Sequence, residues 1–278
     1  MSFCIVYLAS PRGRRIGCCD FSRKFDILKS SLAISTRLFP KTDIYIFHED
    51  FETEDFKALP DIKEYIKVDF SGYDDVFVKH VFPKGYMLMC RFFSGVLQKY
   101  PQLSNYTHYM RLDDDSYFME PNISEEHVQK MLKYDYVYRS LYHDLKYHQE
   151  LFDFTVGYLK SAGYPVQLLY PELVKSGVLD GNNKYTGLAP YNNFHLSSIS
   201  LWNHPVVKSY IDKIESDSNI LKKGWLDSNI HGMIIFLITP FIGKMVHHDG
   251  TFGYRHNKHV SIQNATWIQW RDDLPFHP

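Results

Sequence analysis

Three consecutive carboxylates, Asp113, Asp114 and Asp115, follow directly on the apolar run from Tyr106 to Leu112. In an extended chain alternate residues point the same way, so Asp113 and Asp115 can share a face while Asp114 points away. Two converging carboxylates suit a hard divalent cation such as Mg²⁺ or Mn²⁺, and such ions are commonly completed by phosphate oxygens. The D-x-D at a strand end therefore predicts a metal–diphosphate clamp. A solvated acidic turn would use the same residues, but the apolar strand before it and Tyr117-Phe118 after it favour the clamp. A second group is His247, His248, His256 and His259. Imidazole suits Mn²⁺ or Zn²⁺, yet this spacing fits no zinc template, so a carboxylate from elsewhere would have to complete a site. A third is Asp227, at the start of the apolar segment Leu226 to Leu237. Its carboxylate could serve chemistry, or could simply satisfy the free N–H groups of a helix start.

These residues need a scaffold. Phe3 to Leu8, Asp43 to Phe47, Tyr65 to Phe70, Tyr106 to Leu112 and Tyr134 to Arg139 read as strands. Helical spacing between them covers Phe25 to Leu38, with Ser22 as cap, then Tyr86 to Tyr100 and Ser124 to Lys133. Alternating strands and helices predict an α/β sheet with ligands outside the carboxyl ends of the strands, where Asp113 stands. The second half is less regular. It has helices over His143 to Ala162, Pro205 to Glu215 and Leu226 to Leu237, and strands over Asn193 to Leu201 and Lys244 to His247. No linker or repeat divides the chain, so one domain over 1–278 is expected. Its nucleotide-binding half would cover 1–140 and its acceptor half 141–278.

Composition narrows the function. The chain has 278 residues, 45% hydrophobic and 23% charged, with a formal charge of -1. A chain of this size buries roughly 75% of its unfolded surface and needs no disulfide or metal to hold together. Near-neutral charge gives no electrostatic reason for a nucleic-acid or anionic-membrane partner. No apolar run is long enough for a membrane span, and the first residues carry no basic flank of a secretory signal. The four cysteines, Cys4, Cys18, Cys19 and Cys90, form no metal or disulfide pattern. A soluble, cytoplasmic protein with free thiols is the expectation.

Six segments, in order, resemble the fungal α-1,2-mannosyltransferases of glycosyltransferase family 15. They are Tyr45 to Lys57, Met89-Cys90-Arg91-Phe92-Phe93-Ser94-Gly95, Tyr109-Met110-Arg111-Leu112-Asp113-Asp114-Asp115, Asn193-Phe194-His195-Leu196, Gly224-Trp225-Leu226-Asp227 through His231, and Gly253-Tyr254-Arg255-His256. The resemblance implies a GT-A fold, a mixed α/β sheet with a Rossmann-like N-terminal half. It also implies a nucleotide-sugar donor, GDP-mannose in the family, with Mn²⁺ (or Mg²⁺), a glycan or glycoprotein acceptor and retention of configuration.

Carried over residue by residue, the resemblance makes Asp113, Asp115 and His256 the metal site, with Asp113 also on the diphosphate side. Arg91 becomes a donor-site residue and Asp227 an active-site carboxylate. Tyr7 and Ser10, at the end of the first strand, fall where nucleotide contacts lie in this fold. The chain departs from the family in three places. Phe92 replaces a tyrosine. Leu8-Ala9-Ser10 replaces an Arg-Asn pair, which leaves base and sugar open. His195 stands where the family carries the glutamate proposed as nucleophile. Imidazole there implies contact with sugar or acceptor and a front-face reaction. The alternatives are an inverting or different-sugar transferase with Asp227 as general base, or a binding protein descended from one. Arg12, Arg14 and Arg15 could approach a diphosphate or form a solvated loop.

Overall fold

The computed structural model describes residues 1–10, 24–49, 51–73, 75–78, 82–119, 122–144 and 148–256, and the backbone of 259–261 and 268–269. Ser22, Arg12, Arg14, Arg15, Cys18, Cys19 and the side chain of His259 lie outside the described residues. The strands are β1 (Phe3–Ala9), β2 (Ile44–His48), β3 (Glu64–Lys67), β4 (His108–Leu112), β5 (Ser116–Met119), β6 (Tyr136–Tyr138), β7 (Leu141–His143), β8 (Leu188–Pro190), β9 (Phe194–Ser198), β10 (Val246–His248), β11 (Gly253–His256), β12 (His259–Ser261) and β13 (Ile268–Gln269).

Seven of them form one sheet in the order β10-β6-β9-β4-β1-β2-β3. β4, β1, β2 and β3 run parallel. β9 lies antiparallel between β4 and β6, which makes the sheet mixed and joins the two halves of the chain in it. Central strands of such a sheet are covered on both faces and read as continuous apolar runs. In β1, Cys4 and Val6 enter one core, and Phe3, Ile5, Tyr7 and Ala9 enter the other, against the helix Lys24–Leu38. A smaller sheet, β13-β12-β11-β5, leaves the end of β4 and carries His256.

Two expected elements change character. The strand expected to reach Leu201 stops at Ser198, whose hydroxyl accepts from the Leu201 backbone N–H and starts the helical turn Ile199–Trp202. The helix expected over Tyr86 to Tyr100 is regular only for Lys84–Arg91; within Phe92–Val96 the chain kinks at Gly95, which takes φ 149°. This segment places the Phe93 ring under Arg111 and the Phe93 carbonyl against His231. Gly95 is required for two reasons: its backbone conformation, and the helix Pro205–Ser216, whose Ile211 methyl would overlap any Cβ at this position. Gly95→Ala should therefore cost about 2–4 kcal/mol through overpacking and backbone strain. Urea denaturation measures this as a lower midpoint at constant slope; an unchanged midpoint would contradict the packing described.

Candidate active site

β4 ends at Leu112 and the chain turns tightly through Asp113–Asp115 into β5, closed by the Ser116 N–H on the Asp113 carbonyl at 3.1 Å. β11 pairs antiparallel with β5, with His256 opposite Ser116. That register carries His256 to the acidic turn although 140 residues separate them in sequence. His256 Nε2 lies 3.0 Å from Asp115 Oδ1 and 3.6 Å from Asp113 Oδ2. The three ligand atoms fall within 4.8 Å of one another. Asp114 turns the other way, and its carboxylate accepts the Ser10 backbone N–H at 3.2 Å. The alternation expected from the sequence is thus present, and Ser10, the residue after β1, is tied to the same edge of the sheet.

Two carboxylates and one imidazole are a donor set that suits Mn²⁺. Without a cation, their charges fall on His256. Burial works against its proton, but Asp115 and then Asp113 outweigh that and raise its pKa.

The centre of the site is a residue that the motif reading left without a role. Arg111, on β4, is fully buried. Its Nε donates to Asp113 Oδ1 at 2.8 Å and its Nη1 to Asp227 Oδ2 at 2.6 Å. Its guanidinium lies 3.5 Å from the centre of the Phe93 ring. Asn192 Nδ2 adds a 3.0 Å bond to the same oxygen of Asp227. Burial disfavours the charge on Asp227, but Arg111 overrides it and the pKa is lowered. For Asp113 burial prevails over Arg111 and His256, and the pKa is raised. Asp227 is the first residue of the helix Asp227–Met233, whose cap position is Leu226, and the start has no side-chain cap. Its carboxylate is directed at Arg111, so the capping explanation does not hold. The signal for Arg111 was present in the sequence: a charged residue inside an apolar strand must find a partner.

Two other expectations are corrected. His195 is wholly buried and cannot touch a sugar or acceptor. Its ring stacks on Tyr136 at 5.1 Å, Nε2 meets Tyr109 Oη and Nδ1 meets the Asn192 carbonyl, each at 3.2 Å. Tyr7 is also spent in the core, its hydroxyl held by Ser31 and Ser35 at 2.9 Å each. Arg91, expected at the donor, pairs with Glu215 at 2.6 Å and lies over the Tyr73 ring. Of the histidine group's described side chains, His247 stacks on Tyr134 and His248 on Tyr138, and His256 joins the carboxylates.

The mixed sheet and the acidic turn at its edge define a GT-A-like fold. The chain belongs to the glycolipid 2-alpha-mannosyltransferase family, glycosyltransferase family 15, whose profile matches residues 63–273. It is 26% identical over 185 residues to alpha-1,2 mannosyltransferase KTR1 of Saccharomyces cerevisiae, covering 62% of this chain and 43% of that protein. Against O-glycoside alpha-1,2-mannosyltransferase homolog 2 of Schizosaccharomyces pombe it is 22% identical over 175 residues, 62% of this chain and 46% of that one. The chain thus spans less than half the length of these two curated relatives. Its fold is similar to that of core-mannan synthase A (CmsA/Ktr4) from Aspergillus fumigatus in the Mn/GDP form. The TM-score is 0.72 at 16% identity, over 95% of this chain and 77% of that one. It is also similar to the mannosyltransferase Ktr4p of S. cerevisiae in complex with GDP, with TM-score 0.68 at 14% identity, over 94% and 72% of the two chains. No helix among the described residues is long and apolar enough to cross a membrane.

Burial beneath the site sets an acid limit. His231 is buried between the Tyr136 hydroxyl at 2.8 Å and the Phe93 carbonyl at 3.1 Å, and burial lowers its pKa to about 4. Burial also pushes His195 well below its ordinary value, as do His231 and Arg111. An unfolded histidine takes its proton near pH 6.5, so acid favours the unfolded chain as pH falls from about 6.5 toward 4. His256, with its raised pKa, acts the other way, but His108 and His247 are lowered as well. With metal removed, the urea midpoint should fall steadily from pH 7 to pH 5; a flat or rising midpoint would contradict this assignment.

Proposed function

We propose that this chain is a retaining, metal-dependent glycosyltransferase that moves mannose from GDP-mannose to a hydroxyl of a glycan or glycoprotein. The observation that carries the reading is the convergence of Asp113, Asp115 and His256 beside the Arg111–Asp227 pair. With His256 neutral, Asp113, Asp115 and Asp227 against Arg111 leave two net negative charges, which a divalent cation balances. The relatives' names supply mannose, and the Mn and GDP of the similar structures supply metal and base.

Asp113, Asp115 and His256 would hold Mn²⁺, which when bound offsets charge developing on the leaving diphosphate. The Ser10 backbone N–H, tied to Asp114, holds the end of β1 beside the acidic turn. Asp227 contributes negative charge against the positive charge that develops on the sugar ring. His195 is neutral, buried and hydrogen-bonded at both nitrogens, which argues against a covalent intermediate there. Asp227 is a poor general base, because its pKa is lowered and Arg111 and Asn192 occupy one of its oxygens. Both points favour front-face transfer, in which the departing phosphate oxygen receives the acceptor proton, over an inverting reaction.

The test is nucleoside diphosphate release, and transfer to a mannoside acceptor, from GDP-mannose, GDP-fucose and UDP-glucose with and without Mn²⁺. Turnover of GDP-mannose that depends on Mn²⁺ is expected. Turnover of UDP-glucose alone would overturn the donor, and no release from any donor would leave a binding protein. Asp227→Asn should lower turnover roughly 10²–10³-fold. It should also cost about 1–3 kcal/mol, because the buried Arg111 loses one of two counter-charges. Full turnover in this variant would remove Asp227 from the reaction.

A further inference from the structure

Three consecutive residues after β8 each touch a different part of the site. Asn192 holds the Asp227 carboxylate. The Asn193 carbonyl accepts the Asp113 backbone N–H at 3.1 Å and the Tyr254 hydroxyl at 2.7 Å. Tyr191 takes the remaining part: its hydroxyl lies 2.8 Å from His256 Nδ1, on the far side of the imidazole from the acidic pair. The backbone of Tyr191 is fixed by its N–H on the Ser140 carbonyl at 2.9 Å. Its ring is wedged edge-on against Tyr142, with centroids 5.4 Å apart. Tyr142 in turn bonds Ser228, the neighbour of Asp227, at 2.7 Å.

We infer that Tyr191 is a positioning residue for the metal ligand: its bond to Nδ1 turns His256 so that Nε2 is the nitrogen presented to the cation. This rests on the metal reading of Asp113, Asp115 and His256. A neutral imidazole has one N–H donor and one free acceptor nitrogen, and a metal takes the free one. Nδ1–H donating to the Tyr191 oxygen leaves the Nε2 lone pair directed at the carboxylates. The same bond stops the ring from turning over, which would direct a ring C–H at the cation in place of Nε2. Partners of this kind are typically worth 10–100-fold in metal affinity. The wedge from Tyr142 makes the arrangement rigid before any metal arrives.

Mn²⁺ binding to the intact chain, followed by electron paramagnetic resonance of the free ion with no donor present, tests the inference. The variants are Tyr191→Phe, His256→Ala and Tyr142→Phe, the last losing a hydroxyl that bonds Ser228 rather than His256. Tyr191→Phe should weaken binding at least 10-fold, His256→Ala more, and Tyr142→Phe less than 2-fold. With diamagnetic Zn²⁺ in place of Mn²⁺, long-range ¹H–¹⁵N spectra should show His256 protonated at Nδ1 and coordinated through Nε2 in the wild type, and should lose that single pattern in Tyr191→Phe. Binding within 2-fold of wild type in Tyr191→Phe, while His256→Ala is impaired, overturns the positioning role alone. Absence of Mn²⁺ binding in the wild type, or unimpaired binding in His256→Ala, overturns the metal reading and this inference with it.

Discussion

One buried guanidinium constrains the rest of the site. Arg111 has almost no access to water, so its charge must be met within the protein. Asp113 meets it from the turn after β4, and Asp227 from the start of a helix 116 residues away. Because the geometry must satisfy both carboxylates, the acidic turn and the helix cannot move independently. Phe93 closes the face of the guanidinium, which links the kink at Gly95 to the same point. The reaction proposed needs this rigidity, since dipoles and charges fixed in advance need not reorganise when charge develops.

The layer beneath Arg111 is aromatic and neutral. His195, Tyr136, Tyr109 and His231 pack ring against ring, with centroids 5.0 to 5.4 Å apart for each contact that His195 makes. Low polarity there strengthens the Arg111–carboxylate attraction and keeps both imidazoles uncharged. A carboxylate at position 195 would place another negative charge within this layer. The histidine instead finishes the core and leaves the carboxylates above it as the charged groups.

Much of this was legible in local pattern. The strand before Asp113 and the alternation of its three aspartates gave the direction of each side chain, because period-2 geometry is a property of the backbone alone. The association of His256 with the acidic turn came from the family resemblance of Gly253-Tyr254-Arg255-His256, since local pattern alone fitted no metal template. What escaped was set by distant partners. Gly95 looked like an ordinary helix residue, since its reason is Ile211 on another helix. Asp227 stood between a cap and an active-site carboxylate, since its partner Arg111 lies far away in sequence. His195 looked accessible by analogy of position, but Tyr136 covers it from a neighbouring strand, and Tyr7 points to the opposite core by its place in β1. Arg91, for all its place in a motif, is met by Glu215.

The most direct test of the central constraint is the pH dependence of unfolding for Arg111→Leu beside the wild type, with metal removed. Loss of the guanidinium leaves the buried Asp227 without its counter-charge and the half-buried Asp113 with His256 alone, which should cost about 3–5 kcal/mol at pH 7.5. Unpaired and buried, Asp227 should have a folded pKa above its unfolded one, so the missing stability returns as it protonates. The account predicts that the deficit against wild type shrinks as pH falls from 7.5 to 5. A deficit below about 1 kcal/mol at pH 7.5, or one that does not change with pH, would contradict it.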